Sequence, residues 1–72
     1  MRSFSDDHGG QWQAALMQAS FGNVLMVFSR IGGDGALKKP LDAANLPEAE
    51  QLLADADEPT LRGLLADAVP WS

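Results

Sequence analysis

The chain has 72 residues, carries ten acidic against five basic groups for a formal charge of −5, and contains no cysteine. This length supports one small domain, which buries only about 60% of the surface its unfolded form exposes. The missing thiols exclude disulfide staples, thiolate metal sites and cysteine nucleophiles and make a reducing cytoplasm the simplest home, while the negative field disfavours phosphate backbones, so nucleic acid is not an expected partner.

Residues 1–10 are polar, contain the pair Asp6-Asp7 and end in Gly9-Gly10 without apolar periodicity. A disordered tail is expected there, followed by a single domain over 11–72. The opening lacks the basic-then-apolar order of a secretory signal. The longest apolar run, Val24 to Phe28, falls far short of the roughly 20 residues that span a bilayer, so no membrane association is expected.

From Trp12 to Ile31 two apolar arms flank Gly22-Asn23, a dipeptide that tolerates positive φ and signals a two-residue hairpin turn. Strands are predicted over about 12–21 and 24–31. That turn would set Phe21 opposite Val24, Ala19 opposite Met26 and Met17 opposite Phe28 on one wholly apolar face. The other face would pair Ser20 with Leu25, Gln18 with Val27, Leu16 with Ser29 and Ala14 with Ile31. A helix over the first arm is the rival, since Trp12, Ala15, Leu16 and Ala19 recur at helical spacing. The arm Val24 to Phe28 needs a pairing neighbour close in sequence, which favours the hairpin.

Gly32-Gly33-Asp34-Gly35 then reads as a tight turn into a third strand over about 36–41. Lys38, Lys39 and the donorless Pro40 would place that strand at a sheet edge. A short echo follows, since Asn45-Leu46-Pro47 through Ala56 recurs as Asp57-Glu58-Pro59 through Ala68. Each copy opens with an Asx residue able to cap free amides and a proline in the first turn, so helices are predicted over about 46–55 and 58–69. Glu48 completes a capping-box pattern with Asn45. Apolar stripes comprise Leu46, Ala49, Leu52, Leu53 and Ala56, then Leu61, Leu64, Leu65, Ala68 and Val69. Gly63 would permit close packing, and Trp71, after the helix-ending Pro70, would fold back onto apolar surface. The expected fold is α+β, an antiparallel β-meander of two or three strands with two short helices on one face.

Candidate sites are sparse. His8 is the single histidine, and in a flexible polar segment it lacks the positioned partners that catalysis or metal binding needs. Asp55, Asp57 and Glu58 do not follow calcium-loop spacing, and capping explains them. The glycine-rich turn runs into Lys-Lys-Pro instead of a helix, which removes a phosphate-loop reading. Ser3, Ser5, Ser20, Ser29 and Ser72 have no oriented base, so no catalytic residue, cofactor or metal is assigned. Arg30, Lys38 and Lys39 would form a small basic spot if the second and third strands pair. The surplus apolar residues Trp12, Leu16, Leu25, Val27 and Ile31 on the second hairpin face mark an interaction surface unless the tail or Trp71 covers them. The expected function is a non-catalytic module binding a protein partner or forming a homodimer. The alternative is an accessory or ligand-binding subunit of an enzyme complex.

Overall fold

A computed structural model describes residues 1–19 and 23–71. The elements run β1 (Arg2–Ser5), β2 (Gln11–Gln18), β3 (Val24–Arg30), β4 (Ala36–Leu41), α1 (Leu46–Asp55), α2 (Glu58–Asp67) and β5 (Val69–Pro70). The strands form one antiparallel sheet in chain order, β1-β2-β3-β4-β5. Both helices pack on the same face, α1 against β2 and α2 against β1 and β4. The class is therefore α+β, as the pattern predicts, but the sheet has five strands instead of two or three.

Both additional strands come from stretches read otherwise. Residues 1–10, expected as a disordered tail, contain β1, whose Phe4 is buried and stacks edge-on against Phe28 with ring centroids 5.9 Å apart. One aromatic anchor and a compact turn order this polar segment. In that turn Asp6 N donates to Gly10 O at 2.9 Å, and Gly9 takes the left-handed φ of 83°. The second addition is β5, where Val69 leaves the predicted helix because α2 ends at Asp67, and Trp71 N donates to Ala36 O at 3.0 Å. Flanked by β3 and β5, β4 is consequently not an edge strand. Pro40 remains tolerable because β5 reaches only Leu37 and Lys38.

The region 12–18 is a strand and not the rival helix, but its register differs from the two-residue-turn expectation. Phe28 faces Ala14 instead of Met17, Met26 faces Leu16, and Val24 faces Gln18. Ala19 N donates to Asn23 O at 2.7 Å and closes a longer connection. The predicted turn residue Gly22 and the predicted Phe21 and Ser20 pairings lie outside the described residues. The offset is three residues, an odd number, so every side chain of β2 changes face relative to β3.

The core consists of Phe4, Ala14, Val24, Met26 and Phe28 from the sheet with Ala49, Leu53 and Leu61 from the helices. Fully burying a side chain such as Phe28, Met26 or Leu61 contributes roughly 1.5–3 kcal/mol. Helix starts match the sequence reading. Asn45 Oδ1 accepts from Glu48 N at 2.9 Å, Asp57 Oδ1 accepts from Thr60 N at 2.9 Å, and each helix has its proline in the first turn. The apolar stripes need two corrections, because Leu52 is 49% exposed and Val69 is 50% exposed. Gly63 also differs from expectation, since a Cβ there would meet nothing within 4 Å and no close approach requires the glycine.

Helix α1 has no basic residue in its last turn. The sheet supplies one. Arg2 Nη1 donates to the carbonyls of Leu53 at 2.8 Å and Ala56 at 2.9 Å, satisfying orphan acceptors at the negative end of the helix dipole. Arg62 of α2 reaches back to β1, donating to Ser5 O at 3.2 Å. Two guanidinium groups thus pin the N-terminal strand to both helices.

Candidate functional site

Strand alternation gives the sheet two unlike faces. Under the helices lie Phe4, Trp12, Ala14, Leu16, Val24, Met26, Phe28 and Leu37. The five surface residues expected from sequence are accordingly not brought together. Trp12 and Leu16 pack against the core, whereas Leu25 and Val27 point from the opposite face, and Ile31, 47% exposed, sits in the turn after β3. Trp12 instead donates its indole N–H to Asp6 Oδ2 at 2.8 Å, with the Arg30 guanidinium 5.9 Å from its ring centroid.

The face away from the helices can be followed row by row across the strands. One row runs Ala15, Val27, Lys38 and Val69, and the next holds Met17, Leu25 and Pro40. On the other side of the first row lie Ser3, Gln13, Ser29 and Ala36. Ala15, Met17, Leu25, Val27 and Pro40 are thus contiguous, Lys38 separates Val69 from them, and serine and glutamine form a polar margin on one side. Trp71 joins the margin, its ring 5.5 Å from Lys38 Nζ. Met17, Val69 and Trp71 are 37%, 50% and 46% exposed, while Leu25 and Val27 are half-buried between neighbouring strands. Sequence reasoning does not place Met17 and Val69 on this surface, because the expected register puts the first in the core and the apolar stripe puts the second in a helix, whereas Trp71, expected to fold back onto apolar surface, lies at its margin.

Charge is segregated between the layers. Among the described residues no strand contains an acidic group, whereas Arg2, Arg30, Lys38 and Lys39, four of the five basic residues, lie in strands. The predicted basic spot does not form, because Lys38 and Lys39 alternate onto opposite faces and Arg30 is stacked on Trp12. Carboxylates occupy the helices and the connections at the sheet ends. Among the described strand residues Lys38 is the single charge on the uncovered face, and that ammonium is engaged by the Trp71 ring.

The acidic candidates and Ser5 have structural partners. Asp6 Oδ1 accepts from His8 N at 2.8 Å and Gly10 N at 2.7 Å. The Trp12 bond and these two amide bonds hold the Asp6 carboxyl below the usual aspartate range. Asp57 is also held low, by its hydrogen bond from Thr60. Asp55 Oδ2 accepts from Gln51 Nε2 at 2.9 Å, and Glu58 lies 3.6 Å from the Arg62 guanidinium. Ser5 Oγ accepts from Gln11 Nε2 at 2.7 Å, and the side chain of His8 is exposed on the first turn. Ser20 and Ser72 lie outside the described residues. The glycines at 32 and 35, with φ of 78° and 100°, form the β3–β4 turn and not an anion cradle before a helix.

An open groove of about 470 Å³ lies between α1 and β2, lined by Leu16, Leu46 and Leu53 with Arg2 and Glu50. Among the described residues no group of three or more histidine or acidic side chains converges as a metal site would, and no helix is long and apolar enough to cross a membrane. No protein-family model, curated protein or solved structure matches the chain.

Proposed function

We propose that the protein is a non-catalytic protein-binding module acting through the uncovered face of its sheet. The observation that carries this reading is the contiguous patch of Ala15, Met17, Leu25, Val27 and Pro40, bordered by Lys38 and holding no carboxylate in a chain of net charge −5. Surfaces with an apolar centre and a polar margin suit protein partners. The sheet edges are poorer candidates. At β1 the backbone of Ser5 is engaged by Arg62 and Glu58, and β5 is two residues long and includes the donorless Pro70.

The test is a photo-crosslinking residue placed at Met17 in the protein expressed in its source cells, with Leu52 on the helical side as the comparison. Position 17 should trap a protein and position 52 should not. Equal trapping at both, or none at 17, would refute the reading.

A ligand-binding accessory role is the second reading, favoured by the groove beside α1. It predicts that a small apolar probe shifts the methyl resonances of Leu16, Leu46 and Leu53 and spares Val27.

A further inference from the structure

We propose that the Asp34–Gly35 linkage in the β3–β4 turn is a site of covalent isomerisation, at which the aspartate passes through a cyclic imide and becomes isoaspartate. The Gly35 nitrogen attacks Asp34 Cγ. The new C–N bond forms as a C–O bond of the carboxyl group breaks, and that oxygen leaves as water, taking the carboxyl proton and the amide proton. A second water then reopens the imide at either carbonyl. Addition at Cγ restores aspartate. Addition at the original main-chain carbonyl leaves the chain running through Cβ and Cγ, with one extra methylene in the backbone and the α-carboxylate as the new side chain. Atoms are neither gained nor lost overall, and the only co-reactant is water.

The sequence singles out this position. Of the seven aspartates Asp34 alone precedes a glycine, the others being followed by Asp, His, Ala or Glu. A following side chain sets a Cβ beside the attacking nitrogen and restricts the backbone, and glycine does neither. Asparagine cyclises by the same route with loss of ammonia, but Asn23 precedes the β-branched Val24 and Asn45 precedes Leu46.

The fold supplies an independent reason. Asp6, Asp55 and Asp57 accept hydrogen bonds and Asp7 pairs with Arg62 at 3.5 Å, which fixes each carboxyl group in place. The Asp34 carboxyl has no hydrogen-bond or ion-pair partner among the described residues. Asp34 and Gly35 are both exposed, in irregular backbone between the end of β3 at Arg30 and the start of β4 at Ala36. Gly35 takes a φ of 100°, and a Cβ there would meet nothing within 4 Å, so ring closure displaces no neighbour. Exposed loop tips of small residues open with the least free energy of any part of a fold. Asp42, exposed and without a partner but followed by Ala43, is the comparison within the same chain.

The altered turn lies beside a junction. Ala36 pairs with Ser29 on one side, and on the other its carbonyl accepts from Trp71 N at 3.0 Å. A methylene inserted just before Gly35 shifts this residue against both neighbours, so the bond beside β5 loosens in the isoaspartyl form.

Ageing of the purified full chain, folded and in urea, followed by tryptic mapping tests the proposal. Trypsin cuts after Arg30 and Lys38 and releases the segment 31–38. That peptide should split into two forms of equal mass, with electron-transfer fragmentation placing the β-linkage at Asp34, and the peptide containing Asp42 should stay single. The rate in the folded chain should lie within about tenfold of that in urea, because an exposed turn needs little opening. Asp34→Glu keeps the charge and should abolish conversion, since its ring is one atom larger and closes far more slowly. The separated isoaspartyl form should exchange the Trp71 amide faster than the parent. Protection of the folded chain well beyond tenfold, or conversion at Asp42 as fast as at Asp34, overturns the proposal, and an unchanged Trp71 exchange rate overturns the effect assigned to β5.

Discussion

The indole nitrogen of Trp12 donates to Asp6 Oδ2 across 2.8 Å, tying the first turn of the chain to the covered face of the sheet. The same carboxylate caps two amides of its own turn, so one aspartate organises both the β1–β2 connection and the ring beside it. Replacing Asp6 with Ala should free residues 6–10 and loosen β1. Raised amide exchange over Phe4 to Gly10, with α1 nearly unaffected in its central turn, is the expected signature.

Acid should destabilise the fold partly through the same group. Asp6 and Asp57 both have depressed folded-state values, Asp6 chiefly through Trp12 and Asp57 chiefly through Thr60. A depressed carboxylate contributes stability that is complete above its unfolded value of about 3.9. That contribution is lost as pH falls through the lower folded value, because protonation then favours the unfolded chain. Urea midpoints measured from roughly pH 5 down to 2 should fall, and should fall less steeply in Asp6→Asn. An identical slope in the variant would contradict this assignment.

Two glycines should respond in opposite senses to alanine. At Gly10 a Cβ would lie 2.6 Å from Asp6 Oδ2, so the carboxylate must move and the Trp12 bond must lengthen. Gly63 sits in α2 with open space around it, so Gly63→Ala should stabilise by roughly 0.5–1 kcal/mol through helix propensity and a less flexible unfolded chain. Thermal melts of the two variants should therefore move to either side of the parent.

Leu61 is fully buried and belongs to the core cluster with Phe4 and Phe28. Truncating it to Ala should cost about 2–5 kcal/mol, from lost burial and the cavity left behind. Total stability for a domain of this size is of the order of 4–11 kcal/mol, so much of it would go. Denaturant titration should show a lower midpoint, or partial unfolding before denaturant is added.

Arg2 tests how far the N-terminal strand supports the helices. Its guanidinium bonds carbonyls at the end of α1, and Arg2→Met keeps the aliphatic stem while removing the donors. A loss of about 1–2 kcal/mol is expected, with faster amide exchange in the last turn of α1. An unchanged exchange pattern would show that solvent replaces the arginine without cost.

Much of the helical half was legible in the sequence because its determinants are local. Asn45 and Asp57 cap within three residues, Pro47 and Pro59 sit where a missing donor does no harm, and the starts at Leu46 and Glu58 follow from those groups alone. The arm Val24 to Phe28 was equally plain, being β-rich and bounded by turn residues. Three features needed the tertiary structure. An odd offset in the β2–β3 ladder moved Trp12 and Leu16 under the helices and brought Met17 out, and that offset depends on which face the helices cover. Residues 2–5 look like tail by composition, yet they form a strand because Phe4 finds Phe28 and Arg2 finds the end of α1. Val69 continues the apolar stripe of α2 on paper. It pairs with Lys38 instead, since the free edge of β4 offers backbone partners that no local pattern records. Local chemistry determined where the helices begin, and long-range pairing decided which side of the sheet is left open.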